Sequence, residues 1–250
     1  MTYGGASCYH GGLARRARVP FGIGPRLEAK LNRPQSLTDL AVERIRAAIV
    51  EGRLGFGEQI SESALAGQLG ISKTPVREAL LHLKRDGLVA IHPQRGTFVF
   101  RVSEAQVVEI CRFREILESV ALAEAMSRNL GPLLARLEAN LRAMAAAHRA
   151  GQLRKLPLVD AEFHRAILDL CGNDYLRAAY GLVEHKIHAL RWRLPEHNDQ
   201  VEHCQDNHAV IVAQIREGNV GRAQTTLRRH IRDTLDAYLE ASHAESVAAR

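Results

Sequence analysis

Asp160 and His164 stand four residues apart, so on a helix the carboxylate and the imidazole project from one face about a turn apart and can grip a single ion together. Two later histidines join them. His208 falls within an amphipathic run from Val201 to Glu217, and His230 lies in a final run where Ala223, Leu227, Thr234 and Tyr238 share its face and turn it inward. One carboxylate and three imidazoles suit a divalent metal ion, because a buried Asp needs a positive partner and neutral imidazole offers a nitrogen lone pair. Four such ligands leave Zn(II), Ni(II), Fe(II) and Mn(II) open. The chain holds 12 histidines, so spacing by itself also leaves open a coincidence of surface and structural residues. His185, His188, His197 and His203 fit a cation less well. His185 and His188 are three apart, but they sit among Lys186, Arg191 and Arg193, whose positive field favours solvated or anion-facing roles. Arg114 and Arg191 are candidates for holding a carboxylate, since guanidinium pairs with it bidentately, and a surface salt bridge is the competing role for each.

A second concentration of chemistry lies between Ile60 and Val99. A turn at Gly70-Ile71-Ser72 separates a helix carrying Leu65 and Leu69 from one carrying Val76, Leu80 and Leu83. Ser72 is expected to cap the second helix, and Pro75 suits its first turn, where a missing N–H is harmless. The outer face at that helix start offers Ser72, Lys73, Thr74 and Arg77, residue types that bind phosphate oxygens and guanine edges in a major groove. After Asp86-Gly87, the segments Leu88–Ile91 and Thr97–Phe100 alternate as short strands around His92-Pro93-Gln94-Arg95-Gly96. This predicts a wing whose tip carries Gln94, Arg95 and a glycine that permits close approach to a phosphate or a minor groove.

These residues resemble the winged helix-turn-helix of the GntR family of bacterial transcription regulators. The resemblance rests on Ser72-Lys73-Thr74-Pro75-Val76-Arg77-Glu78-Ala79-Leu80, Asp86-Gly87-Leu88 and Arg95-Gly96, and covers about residues 36 to 100. It implies that Ser72, Lys73 and Arg77 face double-stranded DNA, with Gln94, Arg95 and Gly96 entering from the wing. Where relatives place an arginine before the turn, this chain has Ser63 after Glu62. About residues 104 to 240 resemble the metal-containing, all-helical ligand-binding (FCD-type) domain of the FadR branch of that family. There the pattern is Asp, three residues, His, then one His in each of two later helices, as in Asp160, His164, His208 and His230; Arg114-Glu115-Ile116-Leu117-Glu118 looks like that domain's first helix.

The rest of the chain must position these groups. From Ser103 onward no strand is expected, and six helices are. Val107, Ile110, Phe113 and Leu117 mark one, and Leu133, Leu137, Leu141 and Met144 another; the others run at about Val159–Cys171, Tyr175–Arg193, Val201–Glu217 and Val220–Ala241. Ser103 is a cap, Gly131-Pro132 a break, and Gly151, Gly172-Asn173 and Leu194-Pro195 are ends. The expected fold is mainly α: three helices and a small β-wing over residues 36–102, then an antiparallel helical bundle over 103–245. Residues 1–35, with Arg15, Arg16, Arg18, Arg26, Lys30 and Arg33, are expected to be a disordered basic tail.

With 250 residues, 46% hydrophobic and 25% charged, the chain has the composition of a soluble protein with two cores, and its net charge of +6 suits a polyanionic partner. Cys8, Cys111, Cys171 and Cys204 are too far apart for a zinc ribbon or a CxxC pair, which fits a reducing cytoplasm. No run is long and apolar enough to cross a bilayer. The expected function is a homodimeric regulator, a repressor, on a roughly palindromic operator, with a small carboxylate effector sensed at the metal. Two alternatives stay open: a metal-dependent hydrolase, against which stands the absence of HExxH, and a DNA-binding protein whose metal is purely structural.

Overall fold

The computed structural model describes residues 35–194 and 198–248, except the side chains of 198–203 and 244–248. Of the basic tail expected over residues 1–35, all but Gln35 lies outside the described residues, as do the position of His197 and the side chain of His203. The described residues belong to one compact unit that begins at Gln35.

Three helices and a small sheet come first. Helix α1 (Leu37–Val50) starts on a capping box in which Ser36 and Asp39 satisfy each other's backbone N–H groups. Helix α2 (Glu62–Leu69) ends at Gly70, whose φ of 66° suits a residue without Cβ, and α3 (Lys73–Arg85) follows after the expected tight turn. Ser72 occupies the N-cap of α3 with extended backbone, yet its hydroxyl makes no capping hydrogen bond, so it caps by position only. Val76, Ala79, Leu80 and Leu83 of α3 pack with Ile45 and Ile49 of α1 in a buried core. Polar ties reinforce it, Thr38 donating to Glu78 (2.7 Å) and Arg46 to Asp86 (2.9 Å).

The wing is β2 (Val89–His92) paired antiparallel with β3 (Gly96–Val99). A strand that the sequence pattern does not announce, β1 (Gln59–Ile60), pairs with the other edge of β3, giving the order β1-β3-β2. Two residues are too few for an alternation signal. Gln59 donates to the carbonyl of Arg95 (3.2 Å), so β1 holds the wing tip in place, with Gln94 at φ 61° and Gly96 at φ 106°.

The remaining helices form the bundle. Helix α4 (Glu104–Arg149) begins on the expected Ser103 cap and consists of two helical segments joined across a kink at Asn129, so the break expected at Gly131-Pro132 is present three residues or fewer from its place. Asn129 leaves helical geometry at φ −138° and ψ 37°, where Pro132 would clash with the preceding turn, and its side chain donates to the Leu170 carbonyl (2.7 Å). A 3-10 turn (Leu153–Lys155) leads into α5 (Leu156–Leu170), α6 (Asp174–Arg191), α7 (Asn198–Arg216) and α8 (Val220–Ala248). Leu122, Leu133, Leu137, Phe163, Ile167, Ile211 and Leu227 form the centre of the bundle core.

Candidate metal centre and nucleic-acid interface

Helix α5 carries Asp160 and His164 on its buried face, α7 carries His208 and α8 carries His230; all four residues are buried. One ligand atom from each lies within 4.8 Å of the others. The Nε2 atom of His230 is 3.2 Å from that of His208 and 3.3 Å from that of His164. Asp160 Oδ1 is 3.5, 3.8 and 3.9 Å from the Nε2 atoms of His208, His164 and His230. Metal–ligand bonds of about 2.0–2.1 Å in a tetrahedron put neighbouring ligands about 3.3 Å apart, so the spacing fits a divalent cation. The donor chemistry fits too. Burial holds His208 at about 3 and pushes His230 well below its ordinary value, leaving both imidazoles neutral with lone pairs to give. The Asp160 carboxyl is favoured towards neutrality by burial, but Arg191 and then His164 outweigh that and hold it well below the usual carboxylate range.

Neighbours fix the ring orientations. Glu118 Oε2 lies 2.6 Å from Nδ1 of His164 and Oε1 accepts from Nε of Arg114 (2.8 Å), both carboxylate contacts being fully buried. Burial pushes the Glu118 carboxyl up, yet Arg114 and His164 bring it down to about 2. An ionised Glu118 accepts the Nδ1 proton of His164, which turns the Nε2 lone pair towards the centre. The His208 ring stacks on Phe163, with centroids 3.7 Å apart. Arg191 ion-pairs with Asp160 Oδ2 and approaches His164 Nε2 at 2.9 Å, so a guanidinium N–H and a metal compete for one lone pair. Cys204, one turn before His208, donates its thiol hydrogen to Asp160 Oδ1 (3.4 Å).

The expected DNA-facing residues have the opposite character. Ser72, Lys73, Thr74 and Arg77 are exposed at the start of α3, and Gln94, Arg95 and Gly96 are exposed at the wing tip. Arg77 is engaged: Glu62 at the start of α2 accepts from its Nε (3.2 Å) and its NH2 (2.9 Å). Glu62, the neighbour of Ser63, thus ties the start of α2 to α3.

Two family models cover most of the described chain. Residues 37–99 match the bacterial regulatory proteins of the gntR family, and residues 109–233 match the FCD domain. A helix-turn-helix transcriptional regulator in an unstable DNA locus of Streptomyces ambofaciens is 31% identical over 201 residues, covering 77% of this chain and 81% of the relative. The chain belongs to the GntR family. Another GntR relative, the transcriptional repressor RspR of Escherichia coli K12, is 24% identical over 210 residues, covering 83% of this chain and 91% of its own. The fold of a GntR regulator from Rhodococcus sp. RHA1 superposes with a TM-score of 0.73 at 22% identity, over 83% of this chain and 99% of that one. The chain is a DNA-binding transcriptional regulator with an FCD domain, and its Asp/His cluster is compatible with a metal site. Its GntR relatives are regulators rather than enzymes, which sets the hydrolase alternative aside. Among the described residues no helix is long and apolar enough to cross a membrane.

Helix α6 joins the two halves of this GntR regulator. Arg191 reaches the Asp/His cluster, while Ala189 is buried in the core of the winged helix-turn-helix. Arg193 donates to the carbonyls of Ile49 (3.1 Å) and Leu54 (3.2 Å) and lies 3.6 Å over the Phe56 ring. Sequence reading missed Arg193, Glu118 and Cys204. Only the Arg114–Glu118 spacing of four carried a signal, since the partners of the other two come from distant segments. His185 and His188 depart from the solvated, anion-facing expectation. Both are half-buried, burial lowers them to about 4 and about 3, and Nε2 of His188 is enclosed without a partner.

Proposed function

We propose that this chain is a homodimeric, cytoplasmic repressor that binds a roughly palindromic operator and releases it in response to a small organic acid sensed beside a divalent metal. Residues 36–102 form the DNA-reading module and 103–245 the sensing and dimerising module. Ser72, Lys73, Thr74 and Arg77 enter the major groove, and Gln94, Arg95 and Gly96 approach the backbone or minor groove from the wing. Asp160, His164, His208 and His230 hold Zn(II), Ni(II), Fe(II) or Mn(II), which supplies a Lewis-acidic charge for a carboxylate. Arg114 and Arg191 are the residues that pair with the acid.

The observation that carries this reading is the placement of the end of α6, with Arg191 at the Asp/His cluster, Ala189 in the core of the DNA-reading half, and Arg193, two residues past the helix, bonded to that half. A carboxylate that draws Arg191 away from Asp160 changes the packing of the helix to which that half is attached. Two reading heads must match successive groove faces of one site, so a small change in their spacing weakens both half-sites together. Such couplings amount to about 1–3 kcal/mol.

Elemental analysis of the purified full chain, paired with operator gel shifts, tests the reading. The wild type is expected to carry about one equivalent of divalent metal per chain, as four protein ligands on one ion require. His208→Ala is expected to lose the metal and the acid response while keeping basal operator binding. Full metal occupancy in that variant removes His208 from the site. Operator affinity unmoved by every acid that binds favours a purely structural metal.

A further inference from the structure

His164 has one lone pair to give. Its Nδ1 lies 2.6 Å from Oε2 of Glu118, which takes that proton and leaves Nε2 as the acceptor. Nε2 accepts from NH2 of Arg191 at 2.9 Å, and NH1 of the same guanidinium ion-pairs with Oδ2 of Asp160. The other carboxylate oxygen, Oδ1, is the one 3.5 to 3.9 Å from the three imidazole Nε2 atoms. One guanidinium thus spans two of the four residues of the cluster, with its side chain only 6% exposed. This guanidinium and a divalent ion are rivals. An N–H and a metal cannot use the same lone pair, and two cations side by side out of water repel. Asp160 can serve both, one oxygen to each, so the contact that has to break is the one to His164.

Breaking that contact is felt outside the cluster, because Arg191 is the last residue of α6. Two residues before it, Ala189 is buried in the core of the winged helix-turn-helix. Two residues after it, Arg193 donates to the carbonyls of Ile49 and Leu54. Between Arg191 and Arg193 stands Trp192, the only tryptophan of the chain. A Cβ on Gly52, in the turn after α1, would lie 3.9 Å from its indole Cδ1. Within five consecutive residues the chain therefore holds one contact to the Asp/His cluster, two anchors on the DNA-reading half and an indole beside that half.

We propose that Arg191 is an internal cation that a divalent ion displaces from His164, so that metal occupancy and operator affinity are coupled through the end of α6. The ion is then a signal in its own right, with no organic acid needed for its effect. The inference rests on the reading of Asp160, His164, His208 and His230 as a metal site and adds a regulatory role to it.

The test titrates the full chain, freed of metal with a chelator, with Zn(II) alone, whose filled d shell leaves indole emission unquenched. Trp192 emission is expected to change as the ion binds, and operator affinity, read by fluorescence anisotropy, to change by at least about fivefold. Linkage requires operator DNA to change the Zn(II) affinity by the same factor. Arg191→Met removes the charge and keeps an unbranched side chain. It is expected to bind Zn(II) at least about tenfold more tightly, since the rival donor is gone, and to lose the emission change and the operator response. An arginine with a merely structural role gives the opposite sign, weaker metal binding. Should that variant fail to fold, Arg193→Met, outside the cluster, is expected to bind Zn(II) as the wild type does and to lose the operator response. Zn(II) bound with Trp192 emission and operator affinity both unmoved overturns the inference and leaves the metal site standing. Unchanged or weaker Zn(II) binding in Arg191→Met overturns the displacement, and a full operator response in Arg193→Met overturns the route. No Zn(II) binding to the wild type overturns the metal reading, and this inference with it.

Discussion

Two arginine–carboxylate pairs, Arg77–Glu62 and Arg114–Glu118, share a chemistry and differ in every consequence. Arg77 and Glu62 join α3 to α2 with side chains 65% and 31% exposed; Arg114 and Glu118 are 1% and 0% exposed, in the bundle core. Water competes for the first pair, so its net contribution to folding is small and either partner can be surrendered to another ligand. Around the second, no water replaces what is lost, and each charge depends on its partner to stay buried. The exposed pair is therefore suited to exchange, a guanidinium leaving Glu62 for a phosphate or a guanine. The buried pair is suited to position, keeping His164 aimed.

The largest effect expected from that contrast is on stability. Glu118→Ala strands Arg114 in the core and unties His164, and should cost about 3–5 kcal/mol of unfolding free energy in urea denaturation. An unchanged midpoint and slope would mean that the charge finds water. Arg77→Ala should leave the melting temperature unmoved and weaken specific operator binding on the order of tenfold to a hundredfold, the scale of a lost bidentate base contact. Equal affinity of wild type and variant in fluorescence anisotropy would place Arg77 off the DNA. Glu62→Gln, the smallest change, should tighten operator binding about two- to fivefold, since Arg77 no longer has to be released and one negative charge leaves the DNA side. Weaker binding in that variant would instead make Glu62 an organiser of the reading helix.

What could be foreseen from sequence divides along the same line. The winged helix-turn-helix follows local rules. Gly70 ends a helix, alternation marks β2 and β3, and exposed polar residues at the start of α3 stay where spacing puts them. The helical half is legible wherever one helix holds both partners, as with Asp160 and His164. It is opaque where packing brings strangers together. Nothing in the order of residues tells that Glu118 meets the far side of His164, or that Arg193 finds the carbonyls of Ile49 and Leu54 more than a hundred positions away. Ser72 shows the reverse failure, since the cap position is right and its hydroxyl bond is absent. His185 and His188 look wet among their basic neighbours, yet burial on α6 decides their state.

The break in α4 has a mechanical consequence. Asn129 is tied to the end of α5 by its bond to the Leu170 carbonyl, and a Cβ on the adjoining Gly172 would come within 3.0 Å of Arg128, so the elbow is clamped on two sides. An unbroken rod of 46 residues would carry any tilt of its first turns to its far tip. Divided at an elbow held on α5, the two segments take their directions separately, each from the helices it packs against.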